Sequence, residues 1–324
     1  MKCACWLFLP ALLCVPPSVA QPASSTQARP DQAESSSSTA ESLNILKAST
    51  LETTDEAPFV LRVEYQLYDL EGNPGIKGKA EAAWTKNDGE MVSIESPSLE
   101  VGGGPLVDAY EAADRESYLV RQAMHAIVRP FPGEAFGTLR CLSGAGAEVA
   151  YAQNGIIYHL SSQNHIFLMV DHLSVVERSN FRQHGNHEVP SDIKLSYEGR
   201  TALTMHVTDL GSISDSSDSR GGAAGMPKPI QMRPQVLDAV LLPHKPVKYP
   251  FSADYQRLGG GVRLVAVVTM EGKIADLDLI AGPQKSLAKA VSDAVRSWTF
   301  QPHLEKGAPA EFETTIDVDF NPRK

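Results

Sequence analysis

The sequence predicts an α+β protein: a mostly antiparallel β domain with one main helix, then a small domain of two helices on a three-stranded antiparallel sheet. Three observations carry this. Apolar residues recur with a period of two over many short segments, the mark of strands with one face in a core. One stretch before residue 210 changes to a period near four. Beyond residue 236 the chain reads helix, strand, strand, helix, strand, with Gly or Pro at the breaks.

In the first domain, residues 43–210, Phe59, Leu61, Val63, Tyr65 and Leu67 alternate with Val60, Arg62, Glu64 and Gln66. Gly72, Asn73, Pro74 and Gly75 form a turn, and 77–84 return as a second strand. Asn87, Asp88 and Gly89 turn again before a strand over 91–94. The main helix is expected over 110–128. Tyr118, Gln122 and Ala126 are spaced by four there, with Leu119 and Ala123 beside them, and Pro130 and Pro132 stop it. Short strands follow at 148–152, 156–160, 165–170, 174–178, 193–197 and 201–207.

The second domain, 236–321, opens on Tyr249 and Pro250, then a short helical run over 252–258 ended by Gly259, Gly260 and Gly261. Val262, Leu264, Ala266 and Val268 alternate with Arg263, Val265, Val267 and Thr269. Glu271 and Gly272 turn the chain into a partner strand over 273–281. Leu287, Val291, Ala294 and Trp298 then mark one face of a helix. Phe312, Thr314, Ile316, Val318 and Phe320 alternate with Glu313, Thr315, Asp317 and Asp319, which predicts a strand with one buried face and one solvated acidic face.

The ends and joints have a different composition. Lys2, the apolar stretch 6–15 and the small residues Ser18 and Ala20 read as an export signal over 1–20, cleaved after Ala20. Pro10 and the pair Pro16 and Pro17 leave the apolar stretch short of the ~20 residues a membrane span needs. Residues 21–42, rich in Ser, Gln and Ala, are expected to be a disordered tether. Residues 211–235 form a Ser/Gly/Pro linker, flexible in its first half and extended in its second. Cys3, Cys5 and Cys14 fall within the signal. Cys141 therefore stands alone in the mature chain, where it cannot make an internal bridge and reads as a structural thiol. With a net charge of -10 and no Lys/Arg cluster, nucleic acid is excluded as a partner.

No constellation for chemistry stands out, and no catalytic, cofactor or metal role is expected. His184 and His187 lie in a Gly/Asn loop without acidic ligands at metal spacing. Asp215 and Asp218 lack the Gly and terminal Glu of a calcium loop. Gly102 to Gly104 and Gly259 to Gly261 lack the Lys and Ser/Thr of a phosphate loop. A nucleophile elbow is absent.

A family resemblance rests on an ordered set of residues. Tyr249-Pro250, Gly259-Gly260-Gly261-Val262, Glu271-Gly272-Lys273, Ala281-Gly282-Pro283, Leu287, Ala290, Val295, Trp298-Thr299-Phe300-Gln301-Pro302, Gly307 and the strand ending at Phe320 together resemble the TonB C-terminal domain. That resemblance implies a periplasmic module that takes up an extended segment, the TonB box, of an outer-membrane TonB-dependent receptor or another envelope protein by strand pairing. It assigns the partner edge to the terminal strand, with Phe312, Thr314, Ile316 and Val318, and places Tyr249 and Pro250 near it. Retention of the signal would instead anchor the protein in the inner membrane, within reach of motor proteins there.

Two departures qualify the resemblance. Pro246, Val247 and Lys248 stand where better-known members carry Gln-Pro-Gln before Tyr-Pro. A globular domain also replaces the long Pro-rich spacer, and at about 3.1 Å per residue the linker cannot cross a periplasm. Partner binding is therefore implied more strongly than force transmission. The order of hairpins, helix and hairpins in the first domain resembles the LolA-type half-barrel of periplasmic lipoprotein carriers. The alternative reading is accordingly a carrier of an apolar or lipid ligand, docked through the TonB-like domain.

Overall fold

The computed structural model describes residues 51, 59–85, 89–95, 114–131, 140–142, 149–153, 156–161, 165–185, 187–212, 230–231, 233–236, 238–282 and 284–322. The expected signal, the tether, helical residues 110–113, Asn87, Asp88, Gly102 to Gly104, Asp215 and Asp218 lie outside them. All described residues belong to one compact unit, 39–324.

Strands β1 (Phe59–Tyr68), β2 (Pro74–Thr85), β3 (Gly89–Glu95), β4 (Arg140–Leu142), β5 (Val149–Gln153), β6 (Ile156–Leu160), β7 (Ile166–Val170), β8 (Ser174–His184), β9 (His187–Tyr197), β10 (Arg200–Ser212) and β11 (Ile230–Gln231) form one sheet. Its order is β11-β3-β2-β1-β10-β9-β8-β7-β6-β5-β4. The pairing of β1 with β10, from Phe59↔Ser212 to Leu67↔Leu203, joins the first hairpins to the last. The expected alternation holds in β1: Leu61, Val63 and Tyr65 are buried, whereas Glu64 is exposed. The outer face carries cross-strand ion pairs, Arg62 with Glu81 at 2.7 Å and Lys194 with Glu177 at 2.7 Å.

Helix α1 (Arg115–Val128) is capped by Asp114, whose side chain accepts from the Ser117 N–H at 2.9 Å. Leu119, Val120, Ala123, Met124, Ile127 and Val128 are all almost fully buried, which is more than one helix face can account for. An apolar surface wider than one helix face needs cover on more than one side. One side packs on the inner face of the first sheet, and the other meets the second.

The second sheet has the order β13-β12-β16, from β12 (Gly260–Val268), β13 (Ile274–Ala281) and β16 (Phe312–Phe320). Helices α2 (Phe251–Tyr255) and α3 (Lys285–Val295) belong to the same region, with a hairpin of β14 (His303–Glu305) and β15 (Ala308–Ala310). Lys306 and Gly307 turn that hairpin with φ of 51° and 85°, the left-handed pair that two-residue turns favour. Every β12 residue from Gly261 to Val268 is buried. Val262, Leu264, Ala266 and Val268 share a core with Leu287, Val291, Trp298, Phe312 and Ile316. Val265 and Val267, together with Ile280 and Ala281 of β13, belong to the core built around α1.

Polar contacts fix this docking. Arg115 donates from Nε to the Ile280 carbonyl at 3.0 Å and from Nη1 to the Tyr68 carbonyl at 2.8 Å. The Gly261 N–H donates to Glu198 Oε1 at 2.6 Å. A Cβ at Gly261 would lie 1.9 Å from Leu173 Cδ2, so a larger residue there would have to push the Leu173 side chain aside.

The solvated acidic face expected on β16 is found only in part, since Asp317 and Asp319 are exposed and Glu313 is not. Glu313 is 5% exposed and ion-paired with Arg121 of α1. Asp317 receives a bidentate pair from Arg263, both bonds at 2.7 Å. The Glu313 carboxylate faces α1 and that of Asp317 lies beside the β7–β8 connection, so part of the acidic alternation belongs to an interface within the protein.

Removing one partner of a buried pair leaves the other charge uncompensated. Glu313→Gln should lower unfolding free energy by about 3–5 kcal/mol in urea titrations. Arg121→Met combined with Glu313→Met should recover most of that loss.

Candidate functional site

The geometry of β16 decides what it can offer. It is an edge strand, hydrogen-bonded to β12 along one side from Gly260↔Phe320 to Val268↔Phe312. In an antiparallel pair, successive residues turn their N–H and C=O groups alternately toward and away from the neighbour. Glu313 fixes the phase, because its N–H donates to the Pro234 carbonyl at 3.0 Å and its carbonyl accepts from the Val236 N–H at 2.8 Å, both on the outer side. By that phase Thr315, Asp317 and Asp319 also point their backbone groups outward. Among the described residues no other strand covers them.

The residues assigned by resemblance occupy the opposite phase. The side chains of Phe312, Thr314 and Ile316 are buried, at 1%, 2% and 6% exposure, and Val318 is half-buried. Their backbone groups face β12. Tyr249 donates its hydroxyl to the Leu258 carbonyl and packs its ring 5.3 Å from Phe320. Pro250 caps α2. Phe251 and Tyr255, both strongly exposed on α2, were not singled out by the sequence reading.

The floor beside the open rungs is charged. Asp171 accepts from the Leu173 and Ser174 N–H groups at 2.8 and 2.6 Å and from Arg263 Nη1 at 3.1 Å. Burial alone would raise the Asp171 carboxyl, but Arg263 and the Ser174 donors outweigh it and hold it below the usual carboxylate range. The Arg263 guanidinium also lies 5.5 Å from the centre of the Tyr197 ring. His172 reaches Asp317 at 3.5 Å and Asp319 at 3.8 Å.

The remaining histidines have mundane places. His184 and His187 face each other at the tip of the β8–β9 hairpin, and His165 bonds Glu188. Among the described residues no group of three or more His, Cys, Asp or Glu is placed to hold a metal ion. No helix of the described residues is long and apolar enough to cross a membrane.

Residues 245–322 match the family model described as the Gram-negative bacterial TonB protein C-terminal, in agreement with the motif resemblance. The chain is similar to the solution structure of Pseudomonas aeruginosa TonB CTD, with 25% identity, 27% of this chain and 89% of that chain covered, and a TM-score of 0.24. It is also similar to a putative outer membrane lipoprotein-sorting protein domain from Vibrio parahaemolyticus, with 11% identity, 56% and 97% covered, and a TM-score of 0.35. A LolA superfamily protein from Nitrosomonas europaea gives 11% identity, 56% and 98% covered, and a TM-score of 0.33. The resemblance to LolA-superfamily proteins lies over the middle region. No curated protein matches the sequence.

A depressed carboxyl stabilises the fold above its unfolded value and loses that contribution as pH falls through its folded value. Asp171→Asn should therefore be less stable than the unaltered protein at pH 7. The gap should narrow below the ordinary aspartate value of 3.8. Urea midpoints taken at pH 7 and near pH 3 measure both.

Proposed function

We propose that this is a cell-envelope binding protein whose TonB-like domain captures an extended segment of an outer-membrane TonB-dependent receptor, or of another envelope protein, by adding it as a strand beside β16. The observation that carries this reading is the outward backbone of Thr315, Asp317 and Asp319 at the edge of a fully packed sheet. An unpaired edge offers main-chain hydrogen bonds to any extended partner, and neighbouring side chains then select among partners. The family match over 245–322 supports a TonB-like role in the periplasm. The protein acts by binding, without catalysis or a cofactor.

The carrier reading is less well supported. Residues of α1 fill the inner face over β1, β2, β3, β9 and β10. An apolar ligand entering there would have to displace that helix.

Proline at Ile316 would remove a donor aimed at β12, and so would test the fold. Thr315→Pro removes an outward donor and leaves the β12 ladder intact. With a synthetic peptide copying the periplasm-facing N-terminal segment of a TonB-dependent receptor, Thr315→Pro should weaken binding about tenfold, near the ~1.4 kcal/mol that a lost bond and a crowded edge represent. Calorimetric titration reads this. Unchanged affinity in a variant with an unchanged melting temperature would rule the edge out.

A further inference from the structure

Residues 230–231 and 233–236 touch the edges of both sheets. Ile230 and Gln231, as β11, pair with Val92 and Met91 at the margin of the first sheet. A few residues later the same chain runs parallel to β16, with Gln235 bridged to Glu313. Around that rung, Thr314 Oγ1 donates to the Val236 carbonyl at 2.7 Å and Gln122 Nε2 donates to Gln235 Oε1 at 3.3 Å. Arg233 pairs with Glu311 at 3.3 Å.

We propose that residues 233–236 are a built-in occupant of the β16 edge, a strap lying where an incoming strand pairs, and that partner capture requires its release. The proposal rests on the edge reading given above. The strap satisfies one outward rung and then leaves: its Val236 carbonyl takes the Thr314 hydroxyl, and the Thr315 N–H stays open. Residues 233–236 are half-buried, so the strap is neither locked in a core nor free. A partner strand laid along Glu313, Thr315, Asp317 and Asp319 would meet one N–H and one C=O at each position, whereas the strap meets them at Glu313 alone. A long strand therefore gains more than it displaces. A short or ill-matched one reaches only the open rungs. The strap thus raises the threshold for capture and shortens the edge exposed to unwanted pairing.

The test uses the full chain and a labelled peptide carrying the strap's own sequence, Ile-Gln-Met-Arg-Pro-Gln-Val-Leu (residues 230–237). Val236→Pro removes the strap's donor to Glu313 and leaves β16 untouched. This variant should bind the peptide at least tenfold tighter than the unaltered chain, by fluorescence anisotropy. Arg233→Glu sets like charge against Glu311, loosens the strap by a second route, and should shift affinity in the same direction. In both variants the Glu313 amide should exchange faster with solvent while the Ile316 amide, bonded to β12, keeps its rate. Equal peptide affinity across the three proteins overturns the strap proposal and leaves the edge reading standing. No binding to any of them, with Ile316 exchange unchanged, overturns both.

Discussion

The burial of α1 between two sheets is the constraint from which the arrangement of this protein follows. The first sheet turns the apolar faces of β1, β2, β3, β9 and β10 toward the helix, and the second sheet turns Val265, Val267, Ile280 and Ala281 toward the same core. Neither sheet has a second cover for those faces among the described residues. A domain builds its core by packing layers, and here one helix is the middle layer for two sheets. Separating them would return the β12 valines to water, at roughly 25 cal/mol for each Å² exposed.

Apolar packing alone would tolerate sliding of the second sheet over α1, because it has little directionality. The charged contacts do not. Arg121 meets Glu313, Arg263 grips Asp317 with two bonds and Asp171 with a third, and Arg115 reaches the Ile280 carbonyl. Each has one acceptable geometry, and each would leave a buried charge or donor unmatched if the register changed. These pairs fix Glu313 against α1 and Asp317 against Arg263, and so fix which backbone groups of the strand face out.

Much of this was legible in the sequence, for a physical reason. Alternation over Phe312 to Phe320 gives β16 with the bounds observed, and β6 and the core of β1 are placed equally well, because a half-buried strand writes its period into its side chains. The β8–β9 hairpin runs further than 174–178 and 193–197, since its β8 arm, with Asn180, Arg182 and Gln183, has no apolar period. The β14–β15 hairpin went unread, although Lys306 and Gly307 are a turn signal. Periodicity tells which residues share a face and is silent about what covers that face, so it gave no sign that Glu313 is buried while Asp317 and Asp319 are exposed. The wide apolar surface of α1, with Leu119, Val120 and Met124, was the signal for a second cover. The pairing of Gln235 with Glu313 runs through main-chain atoms and leaves no pattern to find.

The Arg121–Glu313 pair also has a mechanical meaning. Tension delivered to β16 by a strand aligned with it acts along the ladder and loads the rungs in shear, where they share the force. From β16 the shortest route into the first sheet is through Glu313 into α1 and through Asp317, Arg263 and Asp171 into the start of β8. A pull on the last strand is therefore felt first at the middle helix, the layer that both sheets share.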